Sequence, residues 1–233
     1  MLPDVSVIVP IAAGETAWPD LLKNLAEVAP ACREILLAGP AAPNADDLAA
    51  CRRALGSTAV AWLETPLGRA RQMNKAALQA SGRFLWFLHA DSRLDRRGVA
   101  KLARALAAAP EALHYFDLAF EGRRFSLMTL NQIGVWFRCH GLGLPFGDQG
   151  LCLARKVFFE VGAFDESAPY GEDHLLVWQA RRAGKELRCT GGRLWTSPRK
   201  YRERGWLKTT LRHQFLTYRQ ALPEWRKSWG GEG

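Results

Sequence analysis

Three polar clusters in this 233-residue chain have the residue types needed for metal, acid–base and phosphate chemistry. The first centres on Asp91, in His89-Ala90-Asp91-Ser92, directly after the apolar run Phe84-Leu85-Trp86-Phe87-Leu88. Such a run suits an inner strand buried on both faces, and a carboxylate just past it lies where open α/β sheets bind ligands. There Asp91 would be a site residue. The competing reading is helix capping, with Asp91 or Ser92 satisfying free amides of a helix that starts near Asp95.

The second cluster is Gly171-Glu172-Asp173-His174, ahead of Leu175-Leu176-Val177-Trp178. Two carboxylates at a helix start either complement its dipole or supply a general base to a substrate hydroxyl. The third, Gly68-Arg69-Ala70-Arg71-Gln72-Met73-Asn74-Lys75, opens a helix one element before Asp91. Arginines and free amides at a helix N-terminus bind phosphate, although exposed arginines are also commonly just solvated. No GxxxxGK[ST] sequence is present, so this is not a P-loop.

Two loops add to the set. Gly147-Asp148-Gln149-Gly150 is either a plain turn or a place where glycines admit a ligand to the backbone and Asp148 and Gln149 bond its hydroxyls. Trp136, Phe137 and Phe146 surround it, for stacking on a ligand or, for at least two of them, for core packing. Ser197-Pro198-Arg199-Lys200-Tyr201-Arg202-Glu203-Arg204 would close over a diphosphate through Arg199 and Lys200.

The elements that must position these residues follow from hydrophobic periodicity. Strands are predicted over 5–9, 34–37, 59–63 and 84–88, alternating with helices over 18–28, 45–55 and 67–80; this rhythm indicates a doubly wound parallel sheet. A helix over 99–108 and an edge or mixed-region strand over 114–120 follow. Residues 124–139 read as partly helical, 141–150 as a mobile or tightly turned loop, 151–153 as a short strand and 155–161 as a helical turn. The pattern closes with a helix over 172–183 and a last strand over 186–189. Trp206, Leu207, Leu211, Phe215, Tyr218 and Leu222 recur at helical spacing, with Lys208, Arg212 and Arg219 off the stripe. That basic amphipathic helix over 206–229 packs on the domain or a twin subunit, or lies on an acidic bilayer.

No linker divides the chain, so one domain over 1–233 is expected. Thirty-two Lys and Arg against 23 Asp and Glu leave a net charge of +9, which favours an anionic partner. The five cysteines are odd in number and form no CxxC pair, against a disulfide framework or a thiolate zinc site. With no basic leader, and no apolar run of about 18 residues to span a membrane, a cytoplasmic protein is expected, either soluble or peripheral at the inner membrane face.

In order, these motifs resemble family 2 glycosyltransferases of the GT-A nucleotide-diphospho-sugar fold. Val5 to Pro10 is similar to the family's opening strand, Gly68 to Ser81 to its G-x5-N-x6-S-G helix, and His89-Ala90-Asp91 occupies the DxD position. Val161-Gly162-Ala163-Phe164-Asp165 resembles the GGFDE turn, and Glu172-Asp173 the ED pair. Gly-Arg-Ala-Arg-Gln-Met-Asn, Phe-Leu-His-Ala-Asp and Gly-Asp-Gln-Gly look like a bacterial subgroup associated with arsenosugar biosynthesis.

The resemblance implies a Rossmann-like, mostly parallel sheet flanked by helices, with residues 4–120 as nucleotide-binding half, 121–203 as acceptor and catalytic half, and 204–229 as C-terminal helix. It implies hexosyl transfer from a UDP- or GDP-type donor to a hydroxyl acceptor, with inversion and a divalent cation at Asp91. Asp173 would be the base and Glu172 its runner-up. Pro10, Arg69, Arg71, Asn74, His89 and Asp91 would face the donor, and Asp148 and Gln149 the acceptor. Two departures stand out. His89 replaces the first aspartate of DxD, and Leu37-Ala38-Gly39-Pro40 lacks the usual aspartate at the second strand's end. The alternatives are a sugar nucleotidyltransferase, which would carry a Gly-rich Arg/Lys signature where Ile11-Ala12-Ala13-Gly14-Glu15 stands, and a non-catalytic basic protein for membrane or nucleic acid. Without an aromatic-rich RNA motif, nucleic acid is not expected as a partner.

Overall fold

The computed structural model describes residues 2–29, 31–120 and 127–197, together with Arg219 and Leu222. Arg199, Lys200 and the 206–229 stripe otherwise lie outside the described residues.

The chain begins with the expected alternation: β1 (Leu2–Pro10), α1 (Trp18–Val28), β2 (Cys32–Gly39), α2 (Ala45–Leu55), β3 (Ala59–Glu64), α3 (Arg69–Gln79) and β4 (Phe84–Phe87). These four strands are mutually parallel in the order β3-β2-β1-β4. Val7, Ile8, Val9, Ile35, Leu37, Leu85 and Trp86 are buried because helices cover both sheet faces. A polar stitch joins the far ends of this half: Ser6 Oγ donates to Glu34 (2.7 Å), the Ser81 amide also donates to Glu34 (2.7 Å), and the Gly82 amide donates to Ser6 Oγ (2.9 Å). This is the work of the Ser-Gly pair that ends α3.

After β4 come β5 (Arg93–Leu94), α4 (Arg96–Ala108), β6 (Leu113–Phe120), α5 (Leu127–Leu142), a 3₁₀ turn (Gly147–Gln149), β7 (Cys152–Ala154), α6 (Arg155–Glu160), α7 (Glu172–Arg182) and β8 (Leu187–Thr196). The sheet order is β3-β2-β1-β4-β7-β6-β8-β5. β7 runs antiparallel to both β4 and β6, β8 is parallel to β6, and β5 is antiparallel to β8.

Of the two alternatives for β6 the mixed region holds, since it lies between antiparallel β7 and parallel β8, with Leu113 to Phe116 all buried. Two other features depart from the sequence reading. The last strand continues from Cys189 to Thr196 because Gly191 and Gly192 sit in a bulge against β6 and do not end it. β5 was not foreseen; its two residues lack a hydrophobic pattern and are held by tertiary contacts. Among the described residues, no helix is long and apolar enough to cross a membrane.

Candidate active site

The C-terminal ends of β1, β2 and β4 place Pro10, Gly39 and the His89–Ser92 segment along one edge of the sheet. Ile8 pairs with Phe87, so Pro10 is level with His89. Beyond β4 the chain turns tightly, with the Ser92 amide donating to His89 O at 3.0 Å. Asn24 of α1 then grips Leu94, donating to its carbonyl (3.0 Å) and accepting from its amide (2.8 Å). Asp91 is thereby suspended between a buried strand and an anchored one. Its half-buried carboxylate accepts a hydrogen bond of 3.3 Å from Thr196 Oγ1 at the end of β8.

The helix after β5 removes the capping reading of Asp91. Asp95, not Asp91 or Ser92, caps α4, accepting from the Gly98 amide at 2.6 Å. Asp91 is therefore not committed to a helix start.

Glu172 and Asp173 open α7 and are both buried. Arg69, the first residue of α3, reaches them both: Nε stands 2.6 Å from Glu172 Oε1 and Nη2 3.3 Å from Asp173 Oδ2. Asp173 Oδ2 also accepts from the Gly147 amide at 2.5 Å, and Oδ1 from the His174 amide at 2.9 Å. Burial opposes ionisation of Asp173, but Arg69, the Gly147 amide, nearby His89 and the His174 amide outweigh it and hold the carboxyl below its usual range. Burial likewise opposes the charge on Arg69, and Asp173 and Glu172 more than restore it, raising its pKa. The result is a charged, hydrogen-bonded carboxylate beside His89, two residues from Asp91.

Gly147 has a steric reason to be glycine. A Cβ there would lie 2.6 Å from Asp173 Oδ2 and 3.2 Å from Arg69 Nη2. The 3₁₀ turn is therefore seated directly on the carboxylate pair.

The remaining site residues divide by what their side chains touch. Asn74 donates to Phe164 O (2.8 Å) and Glu166 (3.0 Å) and accepts from the Phe164 amide (3.1 Å), binding α3 to the Val161–Asp165 turn. Exposed Arg71 pairs with Glu166 at 3.8 Å. Gln149 is buried; it donates to Phe116 O (2.9 Å) and accepts from the Phe146 amide (3.0 Å), Arg138 (3.1 Å) and Cys139 Sγ (3.1 Å). Asp148 is half-buried, close enough to Arg69 to add to its field.

The aromatic residues split differently from the expectation of core packing. Phe146 is half-buried, with the Arg138 guanidinium 3.5 Å above its ring and the His174 ring 5.1 Å away. Trp136 and Phe137 are 55% and 62% exposed, because α5 directs Cys139 towards the core instead.

Sequence reasoning did not single out Thr196, Asn24 or Gln72. Gln72 Nε2 donates to Ile11 O at 2.8 Å, fixing the chain just past Pro10. Polar residues on otherwise apolar helix faces, as Asn24 and Gln72 are, were the available signal. Thr196 gave none. A shallow cavity lined by Leu2, Asp4, Arg83, Phe84, Leu106 and Pro110 opens at the opposite end of β1 and β4, away from these groups.

No protein-family model and no curated protein sequence matches the chain. Solved structures do. S. aureus TarS aligns over 86% of this chain and 38% of its own with a TM-score of 0.62 and 17% identity. The mannosyltransferase PcManGT from Pyrobaculum calidifontis, solved with GDP-Man and Mn²⁺, aligns over 84% of this chain and 57% of its own (TM-score 0.65, 16% identity). GalNAc-T7, solved with UDP, GalNAc and Mn²⁺, aligns over 84% and 44% (TM-score 0.62, 14% identity). The chain spans about two-fifths to three-fifths of the length of these proteins. The mixed α/β fold of this chain, with its parallel β3-β2-β1-β4 half, is the fold of GT-A glycosyltransferases.

Proposed function

We propose that the protein transfers a sugar from a nucleoside-diphosphate donor to an acceptor hydroxyl. The observation that carries this reading is the convergence of Asp173, Glu172, Arg69 and the Gly147 amide close to His89, in the turn that follows β4 and holds Asp91. The fold supports it, as do the motifs shared with family 2 and the arsenosugar-associated subgroup. Three of the structural neighbours were solved with UDP, UDP-GlcNAc or GDP-Man, two of them with Mn²⁺.

Asp173 is the general base. Among the described residues its Oδ1 has one hydrogen bond, from His174, and a carboxylate oxygen has two lone pairs, so an acceptor hydroxyl can dock on the second. The acceptor oxygen forms a bond to the anomeric carbon and passes its proton to Asp173. The bond from that carbon to the diphosphate breaks, and its electron pair leaves with the nucleotide. Attack and departure on opposite faces invert the centre. Glu172 keeps Arg69 in place, and Arg69 keeps Asp173 ionised.

Asp91 fits a divalent cation. Its carboxylate is half-buried, is not used as a helix cap, and has a single long hydrogen bond to a hydroxyl among the described residues. Mn²⁺ or Mg²⁺ bound there would neutralise charge on the departing diphosphate. His89 supplies an imidazole where a second carboxylate would otherwise stand. It is suited to a ribose hydroxyl or to water on the cation.

The test is product identity with a panel of UDP- and GDP-sugars in Mn²⁺. Nucleoside diphosphate release that is lost in Asp173→Asn and Asp91→Asn supports the reading. Pyrophosphate release would show a nucleotidyltransferase instead. No nucleotide-dependent rise in melting temperature, with or without Mn²⁺, would sink it.

A further inference from the structure

On the other side of Gln149 lies a second group of ligating side chains that the proposed reaction does not use. Asp117 on β6, His140 on α5 and Cys189 on β8 bring one carboxylate oxygen, one ring nitrogen and one sulfur within 4.8 Å of one another. We infer that Asp117, His140 and Cys189 form a binding site for a borderline transition metal, Zn²⁺ in the first instance, with three protein ligands and one position open to water.

The donor set selects the metal. Thiolate and imidazole favour Zn²⁺ over Mg²⁺ or Mn²⁺, which prefer all-oxygen surroundings such as Asp91 and phosphate. Zinc bonds of about 2.0–2.3 Å in a tetrahedron put ligand atoms roughly 3.3–3.8 Å apart. His140 Nε2 is already 3.0 Å from Asp117 Oδ1, so closure needs only side-chain shifts on the order of 1 Å.

Independent features of the fold prepare each ligand. Tyr115 pairs with Cys189 but Asp117 pairs with Arg193, so β8 has three residues where β6 has one. This bulge holds Cys189 beside Asp117 on a common sheet face, and bulges recur where a sheet must aim a side chain. Inside it, Gly191 takes a φ of 68°, a conformation that favours glycine, and its amide donates to Cys189 Sγ at 3.4 Å. An N–H aimed at sulfur stabilises a thiolate. The Trp136 ring stacks on His140 with centroids 4.8 Å apart and planes 30° apart, fixing the imidazole's orientation.

Without metal, burial and the Asp117 carboxylate outweigh that amide and push the thiol up to about 11. Binding therefore releases the Cys189 proton to solvent as the sulfur–metal bond forms. Cys139 is not the fourth ligand, since its Sγ is buried against Gln149. Side-chain exposures of 31% for His140 and 30% for Asp117 leave a route for the ion and its water.

The experiment uses the full chain, stripped with chelator and titrated with Co²⁺ and then Zn²⁺. One equivalent of Co²⁺ should give a thiolate-to-cobalt charge-transfer band, which Zn²⁺ abolishes while raising the melting temperature. Cys189→Ser should remove the band, and His140→Gln should weaken Co²⁺ binding at least tenfold. Asp91→Asn and Cys139→Ser should leave the band in place. Absence of a band in the parent protein overturns the inference. So does a band that persists in Cys189→Ser, a Co²⁺ affinity unchanged in His140→Gln, or a band that disappears with Cys139→Ser or Asp91→Asn. If Cys189→Ser does not fold, His140→Gln, altered at a surface position, decides. None of these readouts depends on glycosyl transfer.

Discussion

Arg69 Nη2 stands 3.3 Å from Asp173 Oδ2, although 104 positions separate the two residues in the chain. The first residue of α3 and the second residue of α7 thus share one ion pair, with Glu172 as a third member at 2.6 Å. An arginine at a helix start that would ordinarily suit phosphate is here turned onto carboxylates.

Replacing Arg69 by Met is expected to raise the Asp173 pKa, because it removes the largest of the influences that lower it. In the proposed reaction Asp173 must be ionised to take the proton, so the acid limb of the kcat/KM profile should move to higher pH. Stability follows the same sign. A depressed folded pKa stabilises above the unfolded carboxylate value of about 3.9 and loses that contribution as pH falls through the folded value. Acid unfolding of Arg69→Met should therefore begin at higher pH than in the parent, as read by circular dichroism.

Gly147→Ala should separate binding from turnover. The added Cβ would meet Asp173 Oδ2 at 2.6 Å, within contact limits that real structures do not show. The turn must lift from the carboxylate, costing the Gly147 N–H bond. With Asp173 as the proposed base, turnover is expected to fall by about 10²-fold or more, the scale of a displaced general base. Nucleotide-induced stabilisation in a thermal-shift assay should persist.

Asn74→Ala addresses whether that side chain serves the fold or the donor. Its three hydrogen bonds among the described residues run to Phe164 and Glu166. A loss of about 1–3 kcal/mol in urea unfolding is expected, since the Phe164 backbone groups lose their partner. The donor KM below the melting transition should change little; a large KM effect would place Asn74 at the donor.

Gln149→Leu should behave as a core lesion. The buried amide satisfies Phe116 O and the Phe146 amide, and both would be left unpaired by an apolar side chain of similar size. A destabilisation of about 2–4 kcal/mol is expected, from two buried groups at roughly 1–2 each. If Gln149 instead contacted the acceptor, stability would hold and acceptor KM would rise.

The strands that carry Asp91 and the helix that carries Glu172 and Asp173 were legible along the chain because hydrophobic period and helix signals are local. β1 to β4 and α1 to α3 appear within a few residues of their periodic patterns. β5 and the second half of β8 were not, since Arg93–Leu94 and the Gly-rich stretch before Thr196 form strands only by pairing with each other and with β6. Their stability comes from partners distant in sequence, and period carries no trace of those.

The sequence by itself determined the alternating α/β scheme, the burial of the Asp91 strand and the presence of two carboxylates at the start of α7. Tertiary structure alone decided what each polar residue does. Capping by Asp95 freed Asp91, and Arg69 was drawn to Glu172 and Asp173. Gln149 was absorbed into the core, and Asp117, His140 and Cys189 were gathered from three elements. The physical reason is that a charge or hydrogen bond acts over a few ångströms in space, and which groups lie that close is fixed by sheet order and helix packing rather than by spacing along the chain.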